Sequence, residues 1–260
     1  MKASQYIRDL AANGVHHFST QDAIAAIGGN PPAVREQIRR LKQRGLVAEP
    51  ARSFHVIVPP EYSRLGCLPA EQFIDPLMKF WEEPYYLGLL SAAERFGAAH
   101  QRPQATQAMI QRSRPPIICG RVEVVFIARQ NTDQLPVSIL NTPRGTVRYS
   151  TPELTALELV GYTGHAGGIS NIATVLAELS ENMDADVLCE TAKLCPVSWA
   201  QRLGYLLEKA EASALADSLF SFVKTEARSY TPLRRAAKTT VVERVARWKL
   251  IVNTEVEPDE

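Results

Sequence analysis

Apolar residues in the first sixty positions fall into short periodic runs separated by turn-forming pairs. Tyr6, Ile7 and Leu10 share one side of a short helix that stops at Asn13-Gly14, a pair suited to the left-handed backbone of a helix end. His16-His17-Phe18 reads as extended, after which Ser19 or Thr20 caps a helix over 21–27 with Ala23, Ile24 and Ile27 facing inward. Gly28-Gly29-Asn30 turns the chain, and Pro31-Pro32 presets the backbone of a third helix whose Val34, Ile38 and Leu41 make one buried stripe before Gly45 ends it. Leu46-Val47-Ala48 and Phe54 to Val58 are β-rich runs joined by a polar turn, as in a hairpin. Helix, strand, helix, turn, helix and hairpin is the order of a winged helix-turn-helix, predicted here over residues 1–58.

Pro59-Pro60 breaks the strand pattern, so 59–68 is expected to be a linker and 69–260 a larger second domain. In that domain 70–81 and 85–96 read as helices separated at Pro84. Short β-rich runs at 117–119, 122–128, 137–140 and 145–149, divided by Gly, Pro and Asn, predict a small mixed sheet. Thr151-Pro152-Glu153 opens a helix, and further helices are expected over 169–179, 185–194, 198–208 and 214–223, with a closing strand over 248–252. The fold class is α+β: the N-terminal winged helix-turn-helix followed by a larger domain of helices and a small sheet.

Charge changes the picture through its placement. The chain of 260 residues carries a net charge of only +1, poor for nucleic-acid binding if spread evenly. From Pro31 to Arg52, however, six basic residues (Arg35, Arg39, Arg40, Lys42, Arg44, Arg52) stand against two acidic ones. On the wheel set by the apolar stripe, the basic side chains of the third helix lie on or beside its outward face, where a DNA groove could receive them. Arg35 and Arg39 are placed near base edges, and Arg40, Lys42, Arg44 and Arg52 on phosphates. Thr20 and Gln21, opening the second helix, complete the set of DNA-binding candidates. Six cationic contacts predict an affinity that falls about a thousandfold between low and moderate salt. Winged helices also dock proteins, which is the competing reading. A second basic run, with Arg234, Arg235, Lys238, Arg244 and Arg247, is either a second nucleic-acid surface or a solvated face.

Other chemistry is thin. Cys67, Cys119, Cys189 and Cys195 are scattered, with no C-x-x-C pair, and read as free thiols rather than metal ligands. His16, His17 and His55 lack the spacing of a metal site and read as packing or phosphate contacts. Gly164-His165-Ala166-Gly167-Gly168 lacks the phosphate-loop spacing and reads as a helix–helix connection. Glu243 and Lys249 do not make a nuclease site. No nucleophile, acid–base pair or metal cluster stands out, so a protein without catalysis, cofactor or metal is expected. No stretch approaches the roughly 18 apolar residues of a membrane span, and the N-terminus leads into a charged helix, which predicts a cytoplasmic protein with no membrane contact.

Several stretches carry a resemblance: Tyr86-Leu87-Gly88-Leu89-Leu90-Ser91-Ala92-Ala93 with Gly97 and His100, the run from Thr151 to Val160, Gly167 to Leu176, Gln201 to Glu208, and Trp248 to Asn253. In that order and spacing they resemble the AbiEi antitoxins of type IV toxin–antitoxin (abortive infection, phage defence) systems, over almost the whole chain. The resemblance implies a winged N-terminal domain that binds inverted repeats in double-stranded DNA upstream of its own operon and represses it. It further implies a C-terminal domain needed for full repression and for antitoxicity against a nucleotidyltransferase toxin, without an obligatory tight complex. The alternative is a protein-docking inhibitor that binds the toxin, or another enzyme, directly and does not bind DNA.

Overall fold

The computed structural model describes residues 1–98, 103–234 and 243–256, so His100, Arg235 and Lys238 lie outside the described residues. At the N-terminus α1 (Ala3–Ala12), β1 (His17–Ser19), α2 (Thr20–Ile27), α3 (Pro31–Gln43), β2 (Val47–Ala51) and β3 (Phe54–Ile57) follow in the order the pattern predicts. Ser19, not Thr20, is the cap of α2. Its hydroxyl accepts the Asp22 N–H at 3.0 Å and the Asp22 carboxylate accepts the Ser19 N–H at 2.9 Å, so two orphan donors are satisfied reciprocally. Val34, Ile38 and Leu41 of α3 are buried with Tyr6, Phe18, Ala23, Ile27, Val47 and Ile57 in one cluster. The strands form an antiparallel sheet in the order β1-β3-β2, with Phe18 opposite His55 and Ala48 opposite Val56. The hairpin register shifts between Ala48 and Ala51, and Ser53 turns it with a positive φ of 65°.

The chain divides into two compact units built from separated stretches. The first takes Met1–Tyr86, Gln104–Asp133 and Ile139–Arg148; the second takes Leu87–Pro103, Gln134–Ser138 and Tyr149–Glu260. Residues 59–68, expected as a linker, therefore lie inside the first unit. The two prolines end strand pairing, but Cys67 and Leu68 are buried. Leu65 accepts the Arg121 N–H at 2.7 Å, and a Cβ on Gly120 would stand 2.1 Å from the Leu65 carbonyl oxygen. Two backbones that approach this closely need glycine at the crossing, and they hold the segment in place.

After α4 (Ile74–Phe80) come β4 (Tyr85–Leu87), α5 (Leu89–Arg95), β5 (Thr106–Ile110), β6 (Ile117–Cys119), β7 (Val122–Ala128), β8 (Val137–Thr142) and β9 (Gly145–Ser150). The sheet order is β6-β7-β5-β4-β9-β8, with β5 parallel to β7, β6 antiparallel to β7, and Leu87 paired in parallel with Tyr149. Two sequence expectations change here. The helix expected over 85–96 begins as a strand, because Tyr85, Tyr86 and Leu87 are all buried and Leu89 takes a φ of 52° that breaks the run. β5 was not anticipated: four of its five residues are buried, so no alternation marks it, and Gln107, Ala108 and Met109 favour helix in isolation.

The second unit carries α6 (Pro152–Gly161), α7 (Ile169–Leu179), α8 (Ala185–Ala192), α9 (Val197–Lys209) and α10 (Ser213–Glu226). Every residue from Glu153 to Val160 is buried, as in a helix surrounded on all sides. The glycine-bearing segment after α6 leads straight into α7, a helix–helix connection, with the Asn171 side chain donating to the Ala166 carbonyl at 2.8 Å. β10 (Thr231–Pro232), β11 (Glu243–Val245) and β12 (Leu250–Val252) form a three-stranded sheet in the order β10-β12-β11. Trp248, expected within the closing strand, lies just before it, fully buried, and donates its indole N–H to Glu208 at 2.7 Å. A Cβ on Gly204 in α9 would stand 2.1–2.5 Å from three carbons of that ring. Gly204→Ala should therefore destabilise the second unit by about 1–3 kcal/mol, although alanine favours helix, because the indole has no room to retreat. Chemical denaturation of the variant checks this, and equal or higher stability would refute the packing argument.

Candidate nucleic-acid interface

The interface candidates sit on elements whose rotation is set by burial. Because Val34, Ile38 and Leu41 face the core, Arg35, Arg39 and Arg40 emerge on the opposite side of α3 and are exposed. Arg44 is the exposed C-cap of α3, and Arg52 is exposed at the hairpin turn. Gln21 is exposed at the start of α2. Thr20, beside it, is half-buried, its hydroxyl 2.8 Å from His55 Nε2.

Three of the six cations are engaged within the fold. Lys42 donates to Glu49 on β2, whose second carboxylate oxygen accepts the Ser53 N–H at 3.0 Å, so one acidic side chain ties α3 to the hairpin and closes its turn. Burial pushes the Glu49 carboxyl up, but the Lys42 ammonium and the Ser53 amide outweigh it and hold the group below its ordinary value. Arg39 and Arg40 both donate to Glu36, and these hydrogen bonds bring the Glu36 carboxyl down to about 2. Arg35, Arg44 and Arg52 have no acidic partner among the described residues. Sequence reasoning gave Glu36 and Glu49 no part and read His55 only as a packing or phosphate contact. The i,i+3 and i,i+4 spacing of Glu36 to Arg39 and Arg40 was a readable signal, whereas Lys42–Glu49 depends on how the hairpin folds back.

Of the second basic run, Arg247 pairs with Glu208 at 3.0 Å and with Asp217, and its guanidinium lies 4.6 Å from the centre of the Phe220 ring. It is a packed ion pair as much as a surface charge. Arg244 is exposed on β11, over the Tyr230 ring at 5.5 Å. Arg234 is exposed, and its backbone N–H donates to the Asn253 side chain at 3.0 Å. Among the described residues no group of three His, Cys, Asp or Glu is placed to hold a metal ion, and no helix is long and apolar enough to cross a membrane.

Residues 86–209 match the family described as the AbiEi antitoxin C-terminal domain. The match runs from β4 into the last turn of α9 and agrees with the resemblance seen in the sequence. An AbiEi match supports an antitoxin of a type IV toxin–antitoxin system. Among solved structures, the RV2827C protein from Mycobacterium tuberculosis is similar with a TM-score of 0.69 at 18% identity, covering 96% of this chain and 90% of that one. At that identity the likeness establishes the fold alone, and it extends well beyond the AbiEi segment in both directions. No curated protein matches.

Two histidines packed beside the candidate face link the stability of the fold to pH. Burial pushes the His55 imidazole below its usual value, against the attraction of Glu49 and with the help of Lys42, and its Nδ1 is buried without a partner. Burial likewise lowers His17, opposed by Asp22 and assisted by Lys79 and His16. The unfolded chain then binds more protons than the fold below its histidine value of about 6.5, so stability is lost as pH falls through that point. Denaturation midpoints should be lower at pH 5.5 than at pH 7.5, and His55→Gln should shrink the difference; an unchanged difference would count against His55 as its source.

Proposed function

We propose that this chain is the antitoxin of a type IV toxin–antitoxin system and the autorepressor of its own operon. Residues 1–58 act as a winged helix-turn-helix that binds inverted repeats in the promoter, and residues 69–260 counter a nucleotidyltransferase toxin. The observation that carries the DNA-binding part is the exposed cationic face of α3, with Arg35, Arg39, Arg40 and Arg44 on one helix and Arg52 on the adjoining hairpin. An α-helix fits the major groove, where Arg35 and Arg39 reach base edges, while Arg40, Arg44 and Arg52 meet phosphates and Thr20 and Gln21 approach the backbone from α2. Lys42 serves from within its pair with Glu49, steering the helix against the wing. The AbiEi match supports the antitoxin part. The protein works in the cytoplasm, as a binder rather than an enzyme, without cofactor or metal.

A second reading has one observation in its favour: three of the six cations already hold acidic partners, which suits a docking surface better than a phosphate-binding one. On that reading the chain inhibits the toxin by direct contact and has no operator. The two readings part experimentally. In mobility shifts on the duplex upstream of its own coding sequence, Arg35→Ala/Arg39→Ala should weaken binding by about a hundredfold. An unaltered shift would remove α3 from the interface. Stable co-purification with the product of the adjacent gene, without any DNA shift, would favour docking.

A further inference from the structure

The cations of the α3 face are not equivalent. Arg39 donates Nε–H to one oxygen of Glu36 at 2.7 Å and Nη2–H to the other at 2.8 Å, a two-pronged pair, and Arg40 adds its Nε–H at 2.9 Å. The spacings of three and four residues put all three side chains on one helix face, in the open: Glu36 is 38% exposed, Arg39 55% and Arg40 69%. Arg35, Arg44 and Arg52 can meet phosphates without giving anything up. Arg39 cannot present its two-pronged edge to a nucleic-acid acceptor without leaving the carboxylate, and Arg40 must give up its Nε–H bond to present the same edge. The vacated carboxylate is then left facing a polyanion.

That exchange depends on sequence. Phosphate alone compensates the two guanidinium groups but leaves Glu36 repelled. A G·C pair beside a phosphate compensates all parties, since the guanine edge accepts one bidentate guanidinium, that of Arg39, the phosphate accepts Arg40, and the cytosine amino group donates to the carboxylate. Resting on the reading that α3 enters a major groove, we infer that Glu36 is a specificity-determining residue: it withholds Arg39 and Arg40 from duplex of arbitrary sequence and releases them at a G·C pair. Non-specific binding then draws on the three unpaired cations, and operator binding on more.

Glu36→Gln tests this, because the side chain is exposed and the glutamine keeps its size. Binding of the full chain to two fluorescent duplexes of equal length, its own upstream DNA and an unrelated sequence, is followed by anisotropy across a salt series. The variant should bind the unrelated duplex about tenfold more tightly, with a salt slope steeper by about one to two, while the upstream duplex gains less than threefold. The ratio between the two affinities therefore falls. Equal tightening on both duplexes, or none on either, would overturn the role of Glu36 while leaving DNA binding intact. Failure of the unaltered protein to bind either duplex would overturn the groove reading itself, and this inference with it.

Discussion

Burial of three side chains, Val34, Ile38 and Leu41, determines what the N-terminal segment can do. Spaced by four and three residues, they give α3 one inward face, and the cluster with Phe18, Ala23, Ile27, Val47 and Ile57 leaves the helix no other rotation that buries them. With the rotation set, Arg35, Arg39 and Arg40 must point outward, since they occupy the remaining positions of the same turns. The hairpin is positioned by the same cluster through Val47 and Ile57. The cationic face is thus a consequence of apolar packing.

Electrostatics then divides that face into two classes. Glu49, held low by Lys42 and the Ser53 amide, serves the architecture by joining helix to hairpin and closing the turn. Glu36, by contrast, accepts hydrogen bonds from its own helix's arginines, Arg39 and Arg40. An acidic residue in that position contributes little to folding, since exposed pairs of this spacing stabilise a helix by only a few tenths of a kcal/mol. Its effect falls on whatever negatively charged partner approaches α3.

The second unit is organised differently. Its helix α6 is buried along eight consecutive residues, including Glu153 and Glu158, and Glu153 is anchored by the Asp184 N–H at 3.0 Å. Trp248 lies over Gly204 of α9 and is tied to Glu208, with Phe220 against its edge at 5.8 Å. Gln201, on the same helix, donates to the carbonyls of Ser229, Trp248 and Lys249, so the small sheet near the C-terminus is fastened to α9 by side chains. The AbiEi match covers α6 to α9 of this arrangement and stops before α10 and the small sheet.

Periodicity and punctuation alone determined the order of elements in the first sixty residues, the inward stripe of α3 and the helices from α6 to α10, because each is written in local spacing, caps and glycine stops. The tertiary structure decided what local spacing cannot express. Tyr85–Leu87 became a strand and Thr106–Ile110 a second one because both are buried within a sheet, which erases the alternation that would announce them. The segment 59–68 joined the first unit because Gly66 and Gly120 let two backbones meet, an approach between residues far apart in the chain. The pairing of Lys42 with Glu49 and the engagement of Arg247 by Glu208 and Asp217 are likewise long-range, so a count of charges could locate the basic runs without telling which cations remain free for a partner.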